Sequence, residues 1–422
     1  MQTEGSISWP PYHWIDEPIG SLLSDFWEAT YDQSDLDDHE RLIQMLRLRK
    51  QGMRDSDIRR TLGANNVYKY LSGEKQCFVT HLRAERERLG APTEGRKWLP
   101  LRLKPRGTPG KIWIQVPAEI QDFNDVLSVI DQLTTTEESF KIMDQFGFTS
   151  RDELLQHRAN LFGFLQGVTI GDAIKPLRSN SRFPSMTLAL TLSKGKSNSF
   201  KFGEFTSLSA NTSLGLQMHR ITDAPQSEHR FTKEECYRWL APASPLLGWA
   251  FRACLGLKQG ERTTYNQVRM DWILRAPASF RVHFLQGLAE SDGWVDAGAD
   301  RVKIVSSPNE RLLTDLFAGF SINSKIFNQP SATRIEIGTE DGLSLPVFNP
   351  KLHSKYYDDL VTMGTAKRFP ERLALPDWFI EKIRPILLAN SEYNQACLEV
   401  ARTTGFKISS DTVKKYMTKA KA

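Results

Sequence analysis

The chain has 422 residues, of which 40% are hydrophobic, 25% charged and 10% aromatic, and its formal net charge is +5. That length exceeds one ordinary core and predicts two to four domains of globular composition. No uninterrupted apolar run reaches the roughly 18 residues of a membrane span, and no basic-then-apolar leader opens the chain, so membrane and secreted classes are not expected.

Residues 1–40 hold no Lys or Arg and form an acidic segment, in which Trp9, Trp14 and Trp27 predict that part of it docks on the rest. Residues 41–106 are densely basic. Such a run is either a phosphate footprint or a solvated helical surface, and charge alone does not choose. Within it, residues 41–73 read as a helix-turn-helix, the core of a module over 41–90. One helix ends at Lys50-Gln51-Gly52, a second over 55–62 buries Ile58 and Leu62, and Gly63 makes the turn. A third helix over 65–71 buries Val67 and Leu71 and exposes Asn65, Asn66, Tyr68 and Lys69, residue types that suit base edges and phosphates in a major groove. A three-helix packing unit with no DNA role has the same pattern. Residues 91–155 then form a linker: a Pro/Gly-turned hairpin over 96–117, followed by a helical stretch from 122.

Further along, LQGVTIGDA (165–173) aligns without a gap to LQGLAESDG (285–293). Leu165/Leu285, Gln166/Gln286, Gly167/Gly287 and Asp172/Asp292 are shared, which suggests an internal duplication. Each copy ends a helix of buried spacing. A glycine inside a helix costs about 1 kcal/mol relative to alanine, so its use in both copies implies that Gly167 and Gly287 meet where two helices approach closely. Asp172 and Asp292 would then come together at helix C-termini that already carry negative potential. A divalent cation with oxygen ligands, Mg²⁺ above all, relieves that repulsion. The competing reading is a duplicated packing motif whose aspartates only cap the helices.

The two segments resemble the repeated signature of the LAGLIDADG homing endonucleases in their single-chain, two-motif form. The second copy matches well; the first departs at its end, with Ala173 in place of glycine. The resemblance implies an α+β fold. Its half-fold, helix-strand-strand-helix-strand-strand, is duplicated into a saddle-shaped antiparallel sheet, here with small all-α modules on the flanks. It also implies that Asp172 and Asp292 are catalytic and hold the metal, with Gly171 and Ser291 beside them in the metal site. The sixth letter, often acidic in that family, is Ile170 in one copy and Glu290 in the other.

The first half is assigned to 156–230, with strands at 173–176, 186–192 and 216–221 and a helix near 200–208. Residues 231–277 read as a helical bridge. The second half, 278–362, shows strands at 294–297 and 301–307, a helix from Pro308, and strands at 325–328 and 333–338. Period-2 alternation offers Lys194, Lys196, Arg301, Lys303 and Arg334 as DNA-facing; each could equally be a solvated edge residue. Lys325 and Arg334 are candidates to assist the metal. Residues 363–422 repeat the helix-turn-helix grammar around Gly405, with Lys414, Lys415, Lys419 and Lys421 crowding the end.

Cys77, Cys236, Cys254 and Cys397 make no C-x-x-C pair and no zinc set with the eight histidines, and read as reduced core thiols of a cytoplasmic protein. The expected function is a monomeric, Mg²⁺-dependent, sequence-specific endonuclease making staggered breaks in double-stranded DNA. A non-cleaving transcriptional regulator on the same scaffold and an intron maturase binding RNA are the alternatives. An intein is disfavoured, because neither end carries splicing-junction residues.

Overall fold

The computed structural model describes residues 9–17, 33–74, 83, 98–103, 112–134, 147–171, 183–194, 198–221, 235–258, 260–263, 265–306, 308–328, 332–370 and 374–421. They form a mixed α+β protein whose chain divides into two compact units. Trp27, Cys77, Asp172, Ala173, Lys196 and the strand expected at 173–176 lie outside the described residues.

The first unit comprises Met1–Ile120, Ser179–Ser185 and Ser244–Ala253. Three helices, α1 (Gln33–Lys50), α2 (Asp55–Leu62) and α3 (Val67–Leu71), share one apolar cluster with Trp14, Leu42, Met45, Leu46, Ile58, Val67 and Leu71. Trp14 is fully buried and meets Trp9 edge to face at 5.7 Å, so part of the acidic segment does dock. The first helix begins inside that segment, at Gln33. Gly63 turns the chain at φ +60°, in the left-handed region that glycine occupies without penalty. Asn66 is also left-handed, so the third helix starts at Val67, two residues later than expected. Strands β1 (Trp98–Leu103) and β2 (Ile112–Pro117) form the expected antiparallel hairpin.

The second unit comprises Gln121–Arg178, Met186–Ala243 and Cys254–Ala422. Its centre is a pair of helices, α5 (Arg151–Gly171), which follows α4 (Phe123–Gln132), and α7 (Ala278–Asp292). Between these come β3 (Ala189–Ser193), α6 (Ser199–Leu214), β4 (His219–Ile221) and β5 (Cys236–Leu240). After α7 come β6 (Gly293–Asp296), β7 (Arg301–Val305), α8 (Glu310–Ala318), β8 (Lys325–Asn328) and β9 (Thr333–Gly338).

The two antiparallel sheets have matching topology. The second runs β6-β7-β9-β8, and the first runs β3-β5-β4, which is the β7-β9-β8 part of the same order. This correspondence supports duplication without reference to the paired motifs. It also revises one expectation: β5 completes the first sheet from inside the stretch read as a helical bridge. Cys-Tyr-Arg-Trp-Leu alternates, with Trp239 buried beside Gly203 of α6, but an apolar run with helical spacing follows it directly and hides the alternation.

Helices α9 (Thr339–Ser344) and α10 (Lys355–Thr365) lead to a two-stranded parallel pair, β10 (Lys367–Arg368) and β11 (Phe406–Lys407). The C-terminal helices are α11 (Asp377–Ala389), α12 (Tyr393–Thr404) and α13 (Ser410–Lys421). Lys407 fastens this module to the second sheet. It is only 3% exposed, and its Nζ lies 3.0 Å from both Asp300 in the β6–β7 turn and Glu340. Asn394 Oδ1 accepts from the Gly298 amide of the same turn. Among the described residues no helix is long and apolar enough to cross a membrane, and Cys254 and Cys397 are free thiols.

The seam between α5 and α7 is backbone against backbone. A Cβ on Gly167 would collide with the Phe284 carbonyl and sit 2.7 Å from the Leu288 nitrogen. A Cβ on Gly287 would collide with the Phe164 carbonyl and sit 3.0 Å from the Val168 nitrogen. Gly287→Ala is therefore expected to destabilise by about 1–3 kcal/mol through overpacking, although helix propensity alone favours alanine by about 1 kcal/mol. Chemical denaturation of the full chain reads the sign directly, and a stabilised variant would mean the seam is not tight.

Candidate functional site

The close approach continues to the ends of both helices. At Gly171, the last residue of α5, a Cβ would run into the Ser291 side chain and stand 3.1 Å from Asp292 Oδ2. The Asp292 carboxylate is thus placed at the foot of the seam, half-exposed, and directed at the α5 terminus. Asp172 follows Gly171 directly in the chain. The Ser291 hydroxyl donates back to the Gly287 carbonyl at 2.9 Å, which secures the last turn of α7.

The chain then passes from helix to strand with no intervening turn. Gly293 is the first residue of β6, in extended conformation, and a Cβ there would come within 2.6 Å of the Ala289 carbonyl. This close contact accounts for the glycine that ends the second motif. It also means that the outer residues of β6 begin beside Asp292.

Glu290, two residues before Asp292, has a different role. Its Oε1 accepts from the Asn349 amide at 2.9 Å and from the Ser354 hydroxyl at 3.2 Å, and the residue is buried. Burial raises its carboxyl to about 7, against the lowering effect of those two hydrogen bonds. Gln286 is buried too and donates to the Pro346 carbonyl at 3.0 Å. Motif letters Gln286 and Glu290 thus tie α7 to the segment after α9, and leave Asp292 at the open end.

No group of three or more His, Cys, Asp or Glu among the described residues could hold a metal. One half-exposed carboxylate beside a second helix C-terminus is an oxygen-only, incomplete donor set. Such a set could hold a hard divalent cation only with water or phosphate completing its shell; Asp292, and by sequence Asp172, are the residues that could hold it.

The second sheet presents two distinct faces. Val295, Val302, Ile304, Ile335 and Ile337 are buried on the helix side, and Val302 lies against Gly342 of α9. By alternation Trp294, Asp296, Arg301, Lys303, Lys325, Phe327, Arg334 and Glu336 share the other face. Lys325 is exposed and Arg301 half-exposed, whereas Lys303 is only 8% exposed, ion-paired to Asp296 and 3.6 Å from Glu336. Lys303, expected to face DNA or solvent, is instead an internal charge of the sheet.

In the first sheet Lys194 continues the parity of Leu190 and Leu192, on the side of α6. It pairs with Glu235 at 2.9 Å and lies over the Tyr237 ring, which corrects its expected DNA-facing placement. The opposite face there carries His219 and Arg238, of which sequence reasoning missed Arg238 because β5 went unread. In the first unit Asn65, Asn66, Tyr68 and Lys69 are all exposed, and Asn65 Oδ1 accepts from Arg59 at 3.4 Å.

No protein-family profile matches the chain, and no curated protein matches it. Among solved structures it is similar to the homing endonuclease I-DmoI in complex with DNA and manganese, at 13% identity over 44% of this chain and 94% of that one, TM-score 0.31. It is similar to the N-terminal LAGLIDADG domain of DUF199/WhiA at 15% identity over 46% and 82%, TM-score 0.29. Full-length DUF199/WhiA from Thermatoga maritima gives 14% identity over 63% and 92%, TM-score 0.31. Likeness at this level is too slight to assign an activity.

The buried Glu290 makes stability depend on pH in a set direction. Its carboxyl is raised from near 4.5 to about 7 in the folded chain, so the folded state binds the proton more tightly. The contribution is complete below the unfolded value and is lost as pH rises through 7. Glu290→Gln keeps the acceptor for Asn349 and Ser354 without the charge. Urea denaturation is expected to show the variant gaining on the parent from pH 5 to pH 8, by up to about 3 kcal/mol. A difference that stays constant with pH would mean that Glu290 is not held protonated.

Proposed function

We propose that the chain is a sequence-specific, divalent-metal-dependent DNA endonuclease of the homing type. The observation that carries this reading is the foot of the glycine seam, where Asp292 Oδ2 lies 3.1 Å from the Cβ position of Gly171, the residue before Asp172. Packing that brings helix C-termini this close concentrates negative charge. A purely structural pair would not benefit from adding a carboxylate there, whereas a cation-binding pair would.

In this reading Asp172 and Asp292 would hold Mg²⁺, which when bound would supply an activated water and stabilisation of charge on a scissile phosphate. The chain's own residues do the positioning. The seam fixes the last turn of α5 against Asp292, and Glu290 and Gln286 anchor α7 so that Asp292 keeps its place. The outward faces of the two sheets, of which the second leaves α7 directly at Gly293, lie along double-stranded DNA as a saddle and read its bases. The exposed residues of α3, and Lys414 and Lys415 of α13, add contacts as helix-turn-helix modules. Each acid serves one strand, and the product is a staggered double-strand break.

A randomised-duplex cleavage selection in Mg²⁺, run beside a binding selection in Ca²⁺, tests this. Asp292→Asn keeps the shape and removes the charge, so the variant should bind the selected site in Ca²⁺ at least as well as the parent. Its double-strand cleavage in Mg²⁺ should fall by orders of magnitude. Equal cleavage by parent and variant would end the metal-site assignment. Tight binding of one sequence by both, with no cleavage by either, would assign the chain to a non-cleaving regulator.

A further inference from the structure

Four charged side chains from three strands form a continuous ladder on the outer face of the second sheet. Asp296 of β6 pairs with Lys303 of β7, Lys303 lies 3.6 Å from Glu336 of β9, and Glu336 Oε1 accepts from Arg334 Nε at 2.8 Å. Lys303 and Glu336 are direct cross-strand partners, at 8% and 6% exposure. The ladder is therefore internally neutral, and its interior members are withdrawn from solvent. It ends at Arg334, whose side chain remains 22% exposed.

Arg334 is held in a particular way. Glu336 takes its Nε, and its guanidinium lies 5.5 Å from the ring centroid of Phe327, its cross-strand partner on β8. Among the described residues no hydrogen bond uses its two terminal amino groups. An arginine anchored through Nε and backed by an aromatic ring has lost most of its rotamer freedom, yet keeps a planar two-donor edge. That edge matches the paired acceptors O6 and N7 which guanine alone displays in the major groove. A phosphate-contacting arginine needs no such support, because charge attraction tolerates many geometries. The Glu336 carboxylate beside the guanidinium also weakens a phosphate contact, while leaving a base contact intact.

Resting on the proposed DNA reading, we propose that Arg334 specifies one guanine in the half-site facing the second sheet. Glu336 acts as its positioning residue, fixed in turn by Lys303 and Asp296. Phe327 sets the plane of the guanidinium.

The test is a binding selection in Ca²⁺ from a randomised duplex library, with the full chain and its Arg334→Ala, Arg334→Gln and Glu336→Gln variants. Thermal melts confirm that each folds. The parent should enrich a site with an invariant guanine that Arg334→Ala no longer selects, a loss of at least about tenfold in discrimination at that position alone. Arg334→Gln should move the preference there from guanine to adenine, since glutamine pairs with adenine N6 and N7. Glu336→Gln should weaken the guanine preference while the remaining positions hold. If both Arg334 variants return the parental site at every position, with affinity falling evenly, Arg334 is a phosphate contact and the proposal is overturned. A parent that enriches no sequence at all overturns the DNA reading itself, and this assignment with it.

Discussion

The backbone contact between α5 and α7 is the constraint on which the rest of the second unit depends. Gly167 faces the Phe284 carbonyl and Gly287 faces the Phe164 carbonyl, so each helix fills the gap left by the other's missing side chain. Contact of this kind fixes axial register as well as distance, because a slip of one residue would bring a Cβ into a carbonyl oxygen. Both sheets leave the seam within one half of the chain each, and matching strand order follows from repeating one half-fold on either side of it. Glu290 and Gln286 add a second restraint from the segment after α9, at the cost of burying a carboxyl group.

Charge is handled differently at the two ends of this framework. At the foot of the seam, helix C-termini and Asp292 accumulate negative potential in a half-exposed place. On the outer face of the second sheet, opposite charges are interleaved until they cancel, through Asp296, Lys303, Glu336 and Arg334. Lys407 repeats that solution at the junction with the C-terminal helices, where it meets Asp300 and Glu340. A surface whose charges are already paired binds phosphate weakly and without selectivity. What it can offer is the fixed geometry of whichever donors remain, which is the requirement for reading base edges.

Much of this arrangement was legible in the amino-acid order. A glycine in mid-helix is unfavourable, so two of them at one offset from a shared Asp signalled a close helix pair, and the strands at 325–328 and 333–338 followed from alternation alone. The unread parts have physical reasons. Strand β5 runs straight into an apolar stretch of helical spacing, so its alternation is too short to stand out. The burial of Lys303 depends on Asp296 and Glu336, which come from two other strands, and no window along one strand contains them. Glu290 stands at the motif's often-acidic sixth letter, but what occupies it in the fold, Asn349 and Ser354, lies 59 and 64 residues away. Asn66 shortened α3 by adopting a left-handed conformation that a propensity scale does not foresee.

The central claim is that the seam exists to hold a divalent cation at the ends of α5 and α7. Anomalous scattering from crystals of the chain on its selected duplex, grown with Mn²⁺, addresses it most directly. The account predicts a metal peak at about 2.0–2.6 Å from the Asp292 carboxylate, on the side facing Gly171, with a DNA phosphate among its neighbours. A well-ordered DNA complex in which Asp292 bonds only to protein atoms, with manganese elsewhere or absent, would contradict it.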